Sequence, residues 1–559
     1  MKKNLMLSMM LVLVAVLTSC SSKMNELSSD YFTVSPEVLE AVAGQVPATI
    51  NGQFPEKYFN KNSVVTVLPV LKWNGGQALG QPATFQGEKV EGNNRAISYK
   101  LGGSYTMKTV FDYKPEMAKS ELFLEITVTK GGKMYKLPAV KVADGVISTS
   151  ELLSNTVGSA NMTNSEDAFQ RIIRQTEKRD IMFMIQQANI RSSERKVASE
   201  FNDAVKTIEG TENRKVNNIE VSAYASPDGT MDLNTKLAAQ RESNTGSLVN
   251  SNLKRSKLET PVDTKYTAED WDGFKELVEA SNIQDKDLIL RVLAMYSDPD
   301  KRDQEIKNIS TVYDTLAKDI LPQLRRSRLV LNYDVIGKSD EEIANLAEND
   351  AKALNLEELL YAATLTDQAS EKASIYTKAT KLFSDDYRAY NNLGMLAFEA
   401  GDLNMAANCL NDAASRQAAP EVQNNKALVA LAEGNVVEAE NCLSKASGAA
   451  TLQESLGNLA VAKGDYDEAV ANFGDVKTNS AALAQILAKD YSKAQSTLNG
   501  IANPDAMTSY LAAILGARTN NASMVASSLK KATEMDSSLV EKAKNDIEFA
   551  KYAVALAGI

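Results

Sequence analysis

"YNNLGMLAFEAGDLNMAANCLNDA", residues 390–413, aligns on its central glycine with "QNNKALVALAEGNVVEAENCLSKA" (423–446) and "ESLGNLAVAKGDYDEAVANF" (454–473). Gly401 and Gly434 lie 33 residues apart, Gly464 follows 30 later, and Asp367 precedes Gly401 by 34. Each unit carries small and apolar residues at helical spacing and a glycine at a turn. An alanine follows, with an aromatic residue or leucine four positions on. A fixed period of this length marks stacked supersecondary units, none of which can bury its apolar face alone. Weaker copies precede the three (355–383) and follow them (481–501, 508–532), so about six helical units are expected over residues 350–559.

This pattern resembles tetratricopeptide repeats, with Leu393, Gly394, Ala397, Gly401, Ala406, Leu410 and Ala413 on the motif positions. The resemblance implies an all-α solenoid whose first helices line a concave face that takes a peptide or helix of a partner. The register places Arg388, Asn391, Met395 and Phe398 on that face in one unit, and Glu421, Asn424, Leu428 and Leu431 in the next. Asn391 and Asn424 share one repeat position, are expected to be exposed, and offer both donor and acceptor to a ligand backbone. A plain spacer is the alternative role. Because a solenoid contributes mainly nearest-neighbour contacts, truncation after Gly337 is expected to leave the preceding domains folded. Cys409 and Cys442 occupy one register of adjacent repeats, about 10 Å apart by helix stacking, and are expected to be unbridged small residues.

At 559 residues the chain suggests roughly three or four domains, and 44% hydrophobic with 24% charged residues is ordinary globular usage. The formal charge of −11 disfavours nucleic acid as a partner, since phosphate neutralisation needs clustered Lys and Arg. Histidine is absent, which removes the usual general base and the commonest zinc ligand. No metal-ligand spacing, nucleophile elbow or nucleotide loop is present; "GEKVEGN" (87–93) and "DPDKRD" (298–303) read as turns. The expectation is a protein without enzymatic activity, cofactor or metal.

The N-terminus carries Lys2 and Lys3, then the apolar "LMLSMMLVLVAVL" (5–17), too short for the roughly 20 residues of a membrane span. It ends in "LTSC" (17–20), which resembles a bacterial lipobox. The resemblance implies a signal peptide over 1–19, cleavage before Cys20, and acylation of Cys20, palmitate included. Two or more chains on one terminus suffice for stable attachment. A polar tether over 20–30 follows.

Residues 31–147 read as a small antiparallel β-sandwich. "SVVTVLPVLKW" (63–73) is rich in β-branched residues, and "ELFLEITVT" (121–129) alternates Leu122, Leu124, Ile126 and Val128 with polar positions. Gly131-Gly132 offers a tight hairpin turn into "KMYKLPAVKV" (133–142).

From about 165 the pattern alternates. "DIMFMIQQANI" (180–190), "NNIEVSAYA" (217–225) and "RRSRLVLNYDVIG" (325–337) are expected strands, with one helix beginning near Ser193 and another holding Asn234, Leu237 and Arg241. Between the last two strands lies a helical insertion, about 266–320. One helix is expected to open with a capping box on Thr267 and Asp270, and a second run carries Ile306, Ile309, Tyr313, Leu316 and Ile320. The β-α-β-α-β order over 165–340 resembles an OmpA-like (OmpA C-terminal) domain, an α+β fold, and the insertion is similar to variants in Bacteroidetes-type outer-membrane lipoproteins. In OmpA-like domains that bind peptidoglycan, an Asp and an Arg bracket the diaminopimelate. Anchoring on Asn234 and Leu237 carries the Arg onto Arg241, whereas the Asp position falls on Ser226, which has no charge. Asp228 is near enough to substitute, although "SPDG" also explains it as turn chemistry. Altered peptidoglycan binding at Ser226, Asp228, Asn234 and Arg241 is the expectation.

Together these readings imply a multidomain outer-membrane lipoprotein that scaffolds a cell-envelope complex through protein–protein interaction. Its partners would be the membrane through its lipid and envelope proteins through the repeats. A peptidoglycan tether and an accessory subunit of an outer-membrane assembly or transport machine are the alternatives. Ser21 to Glu26 hold one acid and one base, so the periplasmic and cell-surface faces both stay open. The anchor expectation is checked by Cys20→Ala, which should release a soluble protein that no longer incorporates palmitate. Retention of that variant in carbonate-washed membranes would place the anchor elsewhere.

Overall fold

The computed structural model describes residues 24–283, 286–308 and 310–559. The expected signal peptide (1–19), Cys20 and Ile309 lie outside them. The chain divides into two compact units: residues up to Glu166 together with Thr366–Ile559, and Asp167–Leu365. The second unit is therefore inserted into the chain of the first.

In the first unit, alternation builds the sandwich. Strand Ser120–Lys130 turns Leu122, Leu124, Ile126 and Val128 inward and pairs along its length with antiparallel Ser63–Trp73. Gly131 and Gly132, with φ of +54° and +75°, form the hairpin that brings Lys133 opposite Lys130, a left-handed pair whose twist suits the flanking strands. Those strands centre the larger sheet. Phe32–Ser35, Gln45–Phe54 and Gly103–Asp112 form the smaller one. Ile50, Phe54, Val67, Leu71 and Leu124 share the core between them. Two short pairs are parallel rather than antiparallel: Val38–Glu40 with Val140–Ile147, and Ala83–Gly87 with Arg95–Ile97. The expected tether is docked from Met24 onward. Met24 and Leu27 are buried in the sandwich core, and the Tyr58 hydroxyl donates to the Asn25 carbonyl at 2.7 Å.

The helical part of this unit holds antiparallel hairpins, beginning with Arg388–Glu399 and Leu403–Arg416, then Pro420–Ala432 and Val436–Leu443, then Leu452–Lys463 and Tyr466–Phe473. Gly401, Gly434 and Gly464 sit at their turns with φ of +78°, +76° and +82°. Asp402 and Asn435 follow and cap the second helices by accepting from Met405 and Glu438 N–H. In the next two hairpins Lys489 and Asn520 hold the same left-handed place, at a cost of about 1–2 kcal/mol for the lysine. The helices Asp340–Asn349 and Leu356–Ala362 belong with the second unit, so the solenoid starts at Ala369–Leu382 rather than near 350.

The second unit has a four-stranded sheet in the order Ile172–Met182, Arg326–Ile336, Arg214–Tyr224, Val262–Thr267, with helices Ser192–Glu209 and Met231–Ser256. Its first strand lies eight residues before the expected start at 180. That strand is an edge, pairing with Arg326–Ile336 alone, so "RQTEKRD" stays exposed and hides its β character. Thr267 ends a strand, and Asp270 alone caps the next helix by accepting from Gly273 N–H. The insertion comprises helices from Trp271–Ala280 to Leu321–Leu324 around Phe274, Val278, Ile289, Leu293, Ile306 and Leu316. Asp298 opens one of these helices, accepting from Lys301 N–H.

Residues 148–166 connect the sandwich to the second unit and pack on the solenoid. Leu152, Leu153, Val157, Ala160 and Met162 belong to the solenoid's own hydrophobic cluster. Truncation after Gly337 would strip the apolar cover from this segment, a contact that the expectation for that truncation did not include. Such a truncated chain should self-associate and become protease-sensitive across 148–166, whereas 167–365 alone should melt cooperatively. A monodisperse truncated protein with this segment still protected would contradict the packing.

Candidate functional site

The segment 148–166 lies across the first helices of the repeats as a strap, helical in short turns over Thr149–Leu152, Leu153–Thr156 and Val157–Ser159 and extended from Ala160 onward. Thr163 donates its N–H to Asn425 Oδ1 at 2.8 Å, and Asn425 Nδ2 donates back to the Thr163 carbonyl at 2.8 Å. One repeat earlier, Ser165 donates to Asn392 Oδ1 at 2.9 Å and accepts from Asn392 Nδ2 at 3.0 Å. Each asparagine thus makes with the strap the two bonds that a neighbouring β-strand would make. In the following repeat the Glu454 carboxylate accepts from both Asn161 N–H (3.1 Å) and Asn161 Nδ2 (2.9 Å). Burial raises the Glu454 carboxyl above its ordinary pKa, opposed by those two bonds from Asn161. Further along, Ser480 Oγ donates to Thr156 Oγ1 at 3.0 Å. The strap consequently runs opposite to the repeat order, from Thr156 at Ser480 to Ser165 at Asn392.

The residues expected on an open partner face meet this strap or the core. Asn391 and Asn424 are fully buried, not exposed. Asn391 Nδ2 donates to the Thr163 carbonyl (3.1 Å) and Asn424 Nδ2 to Thr163 Oγ1 (3.3 Å). Arg388 Nη1 reaches the Glu166 carbonyl at 3.3 Å, and Glu421 accepts from Ser165 Oγ at 3.1 Å. Phe398, Leu428 and Leu431 are buried in the solenoid cluster, and Met395 is half-buried against it. The groove faces the way the register indicated, but its occupant is the chain itself. Sequence reasoning missed Asn392 and Asn425, the two residues that copy a strand. Their signal was the repeated "NN" in "YNNLG" and "QNNKA". Cys442 is buried, its thiol pushed up to about 11 by burial, and Cys409 is half-buried; both are free.

Strap displacement is costly. Burying Leu152, Leu153, Val157 and Met162 contributes about 6–12 kcal/mol at ~1.5–3 kcal/mol per side chain, an upper range. A micromolar partner peptide supplies about 8 kcal/mol, and the strap competes as a tethered ligand at high effective concentration. The groove is closed.

The loop of the second unit is closed as well. Arg241 is 1% exposed and lies 5.0 Å above the Phe183 ring. Its Nε, Nη1 and Nη2 donate to the carbonyls of Gln187 (3.0 Å), Tyr224 (2.8 Å) and Met184 (3.3 Å). Burial, with Arg325 adding to it, lowers this guanidinium to about 10, still cationic at neutral pH. Asp228 is ion-paired to Arg325 at 3.0 Å, and Arg325 Nε also donates to Ser226 Oγ at 3.2 Å. Asn234 Nδ2 donates to Gly229 O and Glu269 Oε1. Pro227 and Asp228 line a void of only about 10 Å³ against Trp271, Phe274, Tyr313 and Leu316 of the insertion. Ser226, Asp228, Asn234 and Arg241 do come together, yet each polar group is engaged within the protein.

A family model described as "Tetratricopeptide repeat" matches residues 387–420, the first hairpin. Comparison with curated proteins found no match. Among solved structures the chain is similar to a tetratricopeptide repeat protein from Parabacteroides merdae, with 18% identity over 35% of this chain and 85% of that one (TM-score 0.28). It is also similar to the Cut9–Hcn1 hetero-tetramer of the APC/C, with 13% identity over 65% and 72% (TM-score 0.30). A third likeness is to yeast Tom70, with 12% identity over 65% and 81% (TM-score 0.25). By its own elements and the family match over 387–420, the chain is multidomain, with an N-terminal β-rich region and a C-terminal helical region of tetratricopeptide type.

Asn392→Ala and Asn425→Ala should each destabilise the first unit by about 1–3 kcal/mol, because each leaves a buried strap N–H and carbonyl without that partner. Asn404→Ala, at an exposed site of the same solenoid, should stay within about 0.5 kcal/mol in the same denaturant titration. Three equal midpoints would show that the strap is not held by this ladder.

Proposed function

We propose that the chain is a non-enzymatic, lipid-anchored outer-membrane lipoprotein that serves as a scaffold for protein partners in a cell-envelope complex. The observation that carries this reading is the fusion of sandwich, strap and repeats into one unit. A repeat region of this type supports binding to other proteins, and its rigid attachment to the sandwich makes a platform rather than a flexible arm. The lipobox-like "LTSC" supports the anchor. With docking beginning at Met24, four residue steps from Cys20 span at most about 14 Å, which keeps the sandwich against the bilayer. An accessory subunit of an assembly or transport machine is a narrower form of the same reading.

The sheet order and the Asn234–Arg241 helix support an OmpA-like origin for the second unit, and its closed loop argues against a working peptidoglycan clamp. A diaminopimelate carboxylate would have to displace backbone carbonyls from Arg241, and its amino group would have to displace Arg325 from Asp228. The full-length protein should therefore not sediment with purified sacculi, while cross-linking in intact cells should join solenoid surfaces outside the groove to envelope proteins. Sacculus binding released by free diaminopimelate, with no protein cross-links from the solenoid, would instead establish the tether.

A further inference from the structure

The two ends of the sandwich differ in chemistry. Ser63 pairs with Lys130 and Phe54 with Gly103, so loops 55–62, 98–102 and 130–133 gather at one end. Loop 88–94 joins them, with Lys89 N–H donating to the Lys61 carbonyl at 2.9 Å. The chain enters the sandwich at this end as well, because Tyr58 donates to the Asn25 carbonyl and Phe32 opens its strand opposite Gly52. The solenoid is joined at the other end. There Trp73 pairs with Ser120, Ser120 pairs with Gly145, and Glu40, opposite Ile147, accepts from Arg518 of the solenoid at 3.0 Å.

Loop tips at the entry end carry apolar side chains into water. Leu101 is 78% exposed and Met134 is 71% exposed, and Tyr99 stands two residues before Leu101 with the Lys61 ammonium 5.3 Å from its ring centre. Turn geometry calls for neither, since Gly102, Gly131 and Gly132 hold the left-handed positions. A lysine directly precedes each tip, Lys100 and Lys133, and neither ammonium makes an ion pair or hydrogen bond among the described residues. An apolar group beside a long amine suits the boundary of a bilayer, where the first enters the acyl layer and the second reaches phosphate. Charge does not oppose the approach. The four loops hold six lysines and three glutamates, and the entering segment 24–31 adds Glu26 and Asp30, so this end is close to neutral on a chain of formal charge −11.

We infer that the entry end of the sandwich is a phospholipid-binding face, with Leu101 and Met134 seated at the headgroup–acyl boundary and Lys100 and Lys133 on lipid phosphates. The N-terminal segment names the occupant. Met24 is docked in the sandwich core at this end, and the four residue steps back to Cys20 reach at most about 14 Å, so an acyl chain on Cys20 brings the bilayer to these tips and to no other part of the first unit. The inference rests on the lipid anchor and adds an orientation to it. Strand Ser63–Trp73, about 33 Å long, then holds the solenoid end away from the membrane.

The chain contains two tryptophans, and Trp73→Phe with Trp271→Phe clears the background for a reporter. The lipidated full-length protein is reconstituted on vesicles of phosphatidylethanolamine and phosphatidylglycerol whose acyl chains carry bromine near the headgroup, a contact quencher of tryptophan. Leu101→Trp and Met134→Trp, made separately, should each lose at least about half of their emission relative to unbrominated vesicles, because interfacial side chains reach that depth. Val110→Trp, exposed towards the other end of strand Gly103–Asp112, should keep its emission. Circular dichroism confirms that each variant is folded. The face is overturned if either tip stays unquenched on protein that floats with the vesicles, or if Val110→Trp is quenched equally. Failure of the unaltered protein to float with vesicles is the separate failure of the anchor, and it overturns the face with it.

Discussion

A strand that leaves its sheet and enters a protein interior must still have its backbone N–H and C=O groups paired. The extended end of the strap, 160–166, meets this constraint without a neighbouring strand. Asn392 and Asn425 each present an amide that accepts from one strap N–H and donates to the carbonyl of the same residue. Two-fold spacing on the strap (Asn161, Thr163, Ser165) is matched to successive repeats through Glu454, Asn425 and Asn392. The buried apolar side chains upstream, from Leu152 to Met162, hold the strap in place, and the polar ladder fixes its register. The solenoid is thereby tied to the sandwich, and the platform on which the functional proposal rests depends on that tie.

The same physical solution recurs in the second unit. A buried guanidinium without an external anion must find acceptors inside the protein. Arg241 finds three carbonyls, two of them in the loop after the first strand, and Asp228 finds Arg325. Helices of the insertion cover the loop from outside. In both units, then, the place where a ligand would be sought is occupied by the chain's own groups.

Much of the architecture was legible because it repeats or alternates. Gly401, Gly434 and Gly464 mark turns that need a left-handed residue, and Leu122 to Val128 alternate because one face of their strand is buried. What stayed hidden depended on contacts between segments far apart in sequence. "RQTEKRD" forms a strand although it reads as loop, because an edge strand pairs through its backbone while its side chains remain in water. The strap carries no strand periodicity of its own and lies more than 200 residues from the asparagines that hold it, as Thr163 to Asn425 shows. For the same reason Asn391 and Asn424 read correctly as a groove position and wrongly as exposed. Register along one helix says which face a residue shares, and says nothing of what covers that face.

The central claim is that the groove is filled in the free protein, and native-state hydrogen exchange tests it most directly. The amides of Asn161, Thr163 and Ser165 donate to side chains of successive repeats, so their protection reports the strap itself rather than any helix. With no partner added, these three amides should exchange only through the large opening that also exposes the first repeat helices, such as Arg388–Glu399. Exchange of the three at the rate of an exposed loop, while the repeat helices remain protected, would show an open groove and contradict the account.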